Sequence, residues 1–224
     1  MTIIEAIQAR HSVRHYSDSP IEIEKLKRLT QLADECNAQG ELHIQLITNE
    51  PRSFGESLLA RYGKFSGVTS YFAMIGKKSK TLDERIGYYG EKLVLEAQIM
   101  GLNTCWVGLS YKKIDDVIEI GVGEKLVCLI SLGYGITQGV DHKRKTPSQV
   151  STIDITQAPD WYQRGIAAAL LAPTAINQQK FKFSLEDGNK VSVKAGLGFY
   201  SKVDLGIVKY HFEQAAGIEN FRWK

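Results

Sequence analysis

Two periods of hydrophobic and polar residues alternate along the chain. Thr2 followed by Glu5 forms a capping box and predicts a helix over Ile3 to Ala9. After Ser19-Pro20, the residues Ile23, Leu26, Leu29 and Leu32 recur at helical spacing with Lys and Arg outside, so a second helix follows. Leu42, Ile44 and Leu46 then alternate with His43 and Gln45, which is a strand pattern. Arg52 to Tyr62 reads as helix, and Tyr71 to Ile75 as a compact apolar strand closed by Gly76. Gly87 to Gly101 predicts a long helix with Leu93, Ala97 and Met100 on one side and Glu91, Lys92 and Glu96 dispersed. It leads into a turn and short strand ending at Val107-Gly108, and Leu126 to Leu132 reads as a buried strand. Trp161 to Leu171 is an Ala- and Leu-rich helix, and Phe181, Phe183 and Leu185 alternate as a strand.

Some of these elements repeat. Leu32 to Gly40 and Leu171 to Gln179 each end an amphipathic helix and enter an alternating strand, with Leu42, Ile44 and Leu46 opposite Phe181, Phe183 and Leu185. Gly87 to Leu102 aligns with Val203 to Ile218, pairing Gly90 with Gly206 and Gly101 with Gly217. The chain therefore reads as an internally duplicated pseudo-dimer: a fairly complete half over residues 1–148 and a reduced half over 152–224.

Composition narrows the function classes. The 224 residues are 43% apolar and 24% charged, as in ordinary globular proteins, and suffice for one sizeable domain or two small ones. A formal net charge of +3 gives no global reason to expect nucleic acid or an anionic membrane as partner. Cys36, Cys105 and Cys128 are widely spaced and without a Cys-x-x-Cys pair, against a disulfide framework or a structural zinc. The charge at Glu5 comes too early for a signal peptide and no apolar run approaches a membrane span, so a cytoplasmic protein is expected. Gly133 to Gly139 imitates a dinucleotide fingerprint after a strand, but no helix pattern follows it.

Two short stretches carry chemistry. Arg10-His11-Ser12-Val13-Arg14 follows the first helix and could offer two guanidinium groups and a hydroxyl to one anion. The turn from Pro173 to Gln179 offers Thr, Asn and Gln, donors and acceptors without charge, which suits a flat heterocycle rich in ring heteroatoms. An ordinary helix-to-strand turn would also use Pro and Asn here.

Together these stretches resemble the nitroreductase-like family of FMN-dependent oxidoreductases. Its Arg-x-Ser-x-Arg segment is matched at Arg10, Ser12 and Arg14. Its Pro-Ser-Ser/Ala-x-Asn-x-Gln-Pro-Trp segment is matched at Pro173, Ala175, Asn177 and Gln179, with Thr174 for Ser and Lys180-Phe181 for Pro-Trp. The block Gly87 to Gly108 is similar to the family's central helix and following strand, and Lys143 to Val150 to its basic tail. The resemblance implies an α+β fold with a mixed sheet flanked by helices. It also implies that FMN is held by Arg10, Arg14, Lys143 and Lys145 at the phosphate and pyrimidine end. His11 would act through its backbone, Ser12, Thr174 and Asn177 at ribityl or ring edges, and Val107, Gly108 and Leu109 along the ring. Pro173, Ala175 and Gln179 would complete the turn.

In the family the second segment follows closely on the first and reaches the other subunit of a homodimer; here it lies far down the chain. The duplication accounts for this displacement. One cleft combines Arg10 to Arg14 with Pro173 to Gln179. The duplicate would combine Gln149 to Ile153, which has no cation, with a turn carrying Asp34 and Glu35, and should be dead. The expected activity is reduction of a nitro compound, quinone or similar small-molecule acceptor by NADH or NADPH through FMN in ping-pong fashion. It requires neither a metal nor a general base. The alternative is a non-catalytic flavin-binding or sensory protein. A monomer could suffice, because one chain supplies both sides of the cleft.

Overall fold

The computed structural model describes residues 1–54 and 63–224. Helix α1 (Ile3–Ala9) opens on the expected capping box: the Glu5 amide donates to Thr2 Oγ1 at 3.3 Å and the Thr2 amide to Glu5 Oε2 at 2.7 Å. Helix α2 (Ile23–Gly40) starts three residues beyond Pro20 and buries Leu29, Leu32, Ala33 and Cys36, while Ile23 stays exposed. Its last residue, Gly40, lies where a Cβ would be 2.6 Å from the Tyr89 ring, so helix and ring touch only because no side chain intervenes.

Strands β1 (Gln45–Ile47), β2 (Ser70–Lys77), β3 (Asn103–Val107) and β4 (Glu124–Gly133) form an antiparallel sheet in the order β1-β2-β4-β3. Period-2 alternation divides its central strands between two buried faces. Phe72, Met74, Cys128, Ile130 and Leu132 turn toward α2 and the long helix α3 (Leu82–Ile99). Tyr71, Ala73, Ile75 and Leu129 turn toward Val13, Tyr16, Phe54 and Val107. Helix α3 begins five residues before the expected Gly87, adding the buried Leu82 and Ile86. Of the helix expected over Arg52 to Tyr62, Arg52–Phe54 is a 3-10 turn and residues 55–62 lie outside the described ones.

Helix α4 (Asp160–Ala169) leads through the Pro173 turn into a second sheet of β5 (Phe181–Glu186), β6 (Lys190–Ala195) and β7 (Arg222–Trp223). Helix α5 (Ser201–Ala216) connects β6 to β7. β5 and β6 form an antiparallel hairpin, and β7 adds parallel to β6. The first sheet is thus wholly antiparallel, and the mixed pairing falls in the second. Phe183 stacks on Phe212 of α5 at 4.8 Å and Trp161 of α4 on Phe221 at 5.8 Å, within a core whose residues come from both ends of the chain.

The two long helices α3 and α5 meet at glycines. A Cβ on Gly87 would lie 2.0 Å from the Val203 carbonyl oxygen, and one on Gly206 would lie 1.9 Å from that of Glu84. Each glycine therefore receives the backbone of the other helix. The contact partner of Gly206 is thus the Gly87 turn; Gly90, its partner in the sequence alignment, packs instead toward Trp106 and Met74. This crossing brings the first turn of α5 beside the end of β3, where the cavity lies.

Candidate functional site

The Arg10 to Arg14 segment lies along the edge of β3, with the Val13 amide bonded to the Thr104 carbonyl at 3.0 Å and Ser12 bridged to Thr104. The end of β3, this segment, the Pro173 turn and the start of α5 enclose a cavity of about 290 Å³. That is close to the lower end for small-molecule sites, room for a flat ring system with the remainder of a ligand lying along the cleft. Of the residues singled out in the sequence, Ser12, Arg14, Val107, Gly108, Leu109, Pro173, Thr174 and Ala175 line it. Residues 160 positions apart in the chain thus share one wall, and Val203, Ile207 and Val107 make its interior largely apolar.

The other singled-out residues stand behind the cavity. The Asn177 amide donates to the Lys143 carbonyl at 2.9 Å, and its oxygen accepts from Gln179 Nε2 at 2.8 Å. Gln179 Nε2 also donates to the Lys143 carbonyl, while its Oε1 accepts from the Lys145 amide at 2.9 Å; Lys145 Nζ donates to the Gln179 carbonyl at 2.7 Å. Asn177 and Gln179 therefore latch the basic segment to the turn, and their side-chain amides are engaged by protein. Lys145 is likewise committed, and Lys143 is exposed away from the lining. His11 is covered by Gly139, whose added Cβ would lie 2.7 Å from the His11 Cβ. Arg10 is not an open loop cation: it is only 4% exposed, beside Glu91 and Cys105, and desolvation lowers its pKa.

The turn itself has unusual backbone. Ile176, Asn177 and Gln179 have φ of 48°, 55° and 46°, in the left-handed region. Asn accepts that region readily; a β-branched Ile does not. The conformation is held by Asp204 on the first turn of α5, whose Oδ1 accepts the Ala175 amide at 2.9 Å and Oδ2 the Gln178 Nε2 at 2.7 Å. Asp204 lines the cavity and is buried, and burial raises its pKa to about 6. Next to it, Tyr200 donates its hydroxyl to the Gly108 and Val127 carbonyls at 3.0 and 2.9 Å, its ring so close that a Cβ on Gly108 would lie 2.7 Å away. Around the mouth, Leu109, Ile176 and Phe199 are exposed apolar side chains.

Sequence reasoning did not find Asp204, Tyr200 or Phe199. An acid in the first turn of a helix ordinarily answers the helix dipole, so Asp204 carried no distinguishing signal. His211, without an evident partner in the sequence, lies 2.8 Å from Glu91; Glu91, read as one of several dispersed polar residues, is wholly buried. Only the packing of α3 on α5 brings the two together.

The structure is an antiparallel sheet against long crossing helices, with a cleft between the Ser12–Arg14 segment and a polar turn. A family model described as "Putative TM nitroreductase" matches residues 2–216, and the chain belongs to that family. Among solved structures, a "putative nitroreductase" of Thermotoga maritima is similar with a TM-score of 0.68 and 23% identity, over 98% of this chain and 85% of that one. A nitroreductase family protein of Streptococcus pneumoniae is similar with a TM-score of 0.55 and 13% identity, over 68% of this chain and 99% of its own. A "Putative NADH dehydrogenase/NAD(P)H nitroreductase" of Parabacteroides distasonis has a TM-score of 0.51 and 21% identity, over 66% and 95% of the two chains. No curated protein matches. The chain is an enzyme of the oxidoreductase class, and among the described residues no helix is long and apolar enough to cross a membrane.

Proposed function

We propose that the enzyme uses FMN to pass reducing equivalents from NADH or NADPH to a nitro compound, quinone or similar acceptor. One FMN per chain would sit in the cleft between the Arg10 segment and the Pro173 turn. The observation that carries this reading is the meeting of both family segments on one cavity, although they lie at opposite ends of the chain. The residues present fit the cofactor: Arg14 presents an exposed guanidinium at the wall of a cavity whose interior is otherwise largely apolar. The P. distasonis relative, whose own name mentions NAD(P)H, agrees with the nicotinamide reductant.

Bound FMN supplies the hydride-accepting and hydride-donating centre. The chain supplies placement. Val107 to Leu109 form a flat wall, Tyr200 fixes its backbone through the Gly108 carbonyl, and Val203 and Ile207 exclude water from the inner end. Arg14 stabilises negative charge in the cleft and so favours the reduced anionic cofactor; Asp204, while ionised, opposes it. Ser12 and Thr174 offer hydroxyls along the rim.

The pseudo-dimer reading belongs to the same proposal, with halves at 1–148 and 152–224. The order α2-β1-β2-α3 is repeated as α4-β5-β6-α5, with an antiparallel strand pair in each, and the reciprocal contact of Gly87 and Gly206 is what a local twofold axis between paired helices produces. β7 runs parallel to β6, as β3 runs relative to β2, but without a strand between them; the second half is one strand short.

The test is a flavin spectrum of purified protein and its bleaching by NADPH or NADH under anaerobic stopped-flow. Arg14→Ala should weaken FMN binding roughly ten- to a hundredfold, the loss of one charge-assisted contact. Protein that neither binds FMN nor bleaches on adding reductant would refute the reading.

A further inference from the structure

The mouth of the cleft carries apolar side chains that the fold does not account for. Leu109 after β3, Ile176 in the Pro173 turn and Phe199 before α5 all line the cavity, and each is more than half exposed. Exposed apolar side chains scattered singly are ordinary, but three that converge from distant parts of the chain on one opening mark a contact surface. Ile176 is the clearest case. Its backbone at φ 48° is costly for a β-branched residue, and Asn or Gly would hold the same turn with less strain. Strain kept without a return in packing is characteristic of functional positions.

The three side chains are held at fixed spacing. Gln178 Nε2 donates to the Phe199 carbonyl at 2.7 Å as well as to Asp204, which ties the Pro173 turn to the loop before α5. In that loop Gly198 comes so close to the turn that an added Cβ would lie 2.3 Å from Gln178 Oε1. The Tyr200 ring packs edge-on against Phe199 with centroids 4.5 Å apart, and its hydroxyl donates to the Gly108 carbonyl beside Leu109. The rim is therefore preorganised, and an apolar group that settles on it loses little to ordering of the protein.

The occupant follows from what Leu, Ile and Phe can bind. FMN and the nicotinamide dinucleotides carry ribityl, ribose and phosphate groups outside their rings, which need donors and cations, and none of the three side chains supplies one. An aromatic acceptor with a hydrocarbon substituent needs neither. We propose that Leu109, Ile176 and Phe199 form a specificity-determining rim that selects aromatic acceptors bearing an alkyl substituent over bare or charged ones. That this ligand is the acceptor rests on the flavin reading above; the preference for hydrocarbon does not. For an alkylated quinone the reaction balances as quinone, NAD(P)H and one proton giving hydroquinone and NAD(P)+. The nicotinamide supplies the hydride, solvent supplies the proton, and the substituent is unchanged.

Equilibrium dialysis of an alkyl-naphthoquinone series, from methyl to butyl, against FMN-saturated protein without reductant tests the rim. Binding should tighten about two- to fourfold for each added methylene, roughly ten- to sixtyfold across the series. In Ile176→Asn/Phe199→Asn the whole gain should shrink to under about threefold. If the double variant does not fold, Ile176→Asn alone, whose new residue accepts the left-handed backbone, should at least halve the gain. Parent affinities that do not change with chain length, or variants that keep the parental gain, overturn the proposal. Flavin fluorescence gives the FMN affinity of the same variants. A fall in it as large as the loss in quinone binding would mean that the rim covers the cofactor, and overturns the proposal as well. A parent that binds no flavin refutes the flavin reading and the acceptor role with it; dialysis of that protein, which involves no electron transfer, still decides whether the rim selects by chain length.

Discussion

Single residues in the Pro173 turn set the geometry of the cleft at an energetic cost. A left-handed backbone at a β-branched residue costs about 1–2 kcal/mol, and Ile176 is 89% exposed, so no packing of its side chain offsets this. Ile176→Gly should therefore raise stability by about 0.5–1 kcal/mol in urea unfolding, even after glycine's larger chain entropy; a loss of stability would show that the side chain has a contact that matters. Asp204 makes a pH-dependent prediction. Its pKa is about 6 folded against an ordinary 3.8, so its contribution to stability is complete below about pH 4 and is lost as pH rises through about 6. Asn at this position can accept the Ala175 amide and, with the Gln178 amide turned, donate to it, yet has no charge to desolvate. Asp204→Asn should therefore gain on the parent between pH 4 and 6 and hold the gain above, on the order of 1–3 kcal/mol; a flat difference across that range contradicts it. The cavity-lining half of the site was legible because motif residues carry their spacing with them. Asp204, Tyr200 and the Glu91–His211 pair were not, because each is defined by contacts across more than twenty residues.

At the scale of elements, the α3–α5 crossing decides whether the cleft exists. Gly87→Ala or Gly206→Ala puts a methyl within about 2 Å of a facing carbonyl, and rigid backbone cannot yield as a side chain could. Either change should cost about 2–3 kcal/mol, near the upper range for overpacking, with an unaltered denaturant slope. A cost under about 0.5 kcal/mol would mean the helices do not meet there. The latch is an element-scale device too. Gln179→Ala removes its side-chain bonds to Lys143 and Lys145, leaving their segment tied to the turn by Asn177 and the Lys145 ammonium, and should speed proteolysis near Lys143 in the folded protein; an unchanged cleavage rate contradicts it. The capping box made α1 readable from sequence, helical patterning made α2 and α4 so, and unbroken apolar runs made β2 and β4 so. The start of α3 was missed because Asp83, Glu84 and Arg85 mask the apolar Leu82 and Ile86. β6 was missed because Lys190, Ser192 and Lys194 dilute Val191 and Val193, whose burial comes from the second core rather than from their own run.

For the whole molecule, the claim is that a single chain folds both sides of one flavin cleft. The first sheet, the second sheet and the helices between them share one core, so the two halves are not separately closed bodies. The opposite face of the α3–α5 pair has a groove lined by Arg85, Tyr88, Tyr89 and Trp223, in which Lys209 pairs with Glu84 and Tyr88 and Trp223 both donate to Glu213. Its Lys209 is thus already paired within the protein. The most direct measurement is the FMN content of saturated, gel-filtered protein at a concentration where the chain is monomeric, determined from flavin absorbance against amino-acid analysis. One FMN should be found for each chain and be retained by the monomer. Two flavins per chain, or flavin held only when two chains associate, would contradict it.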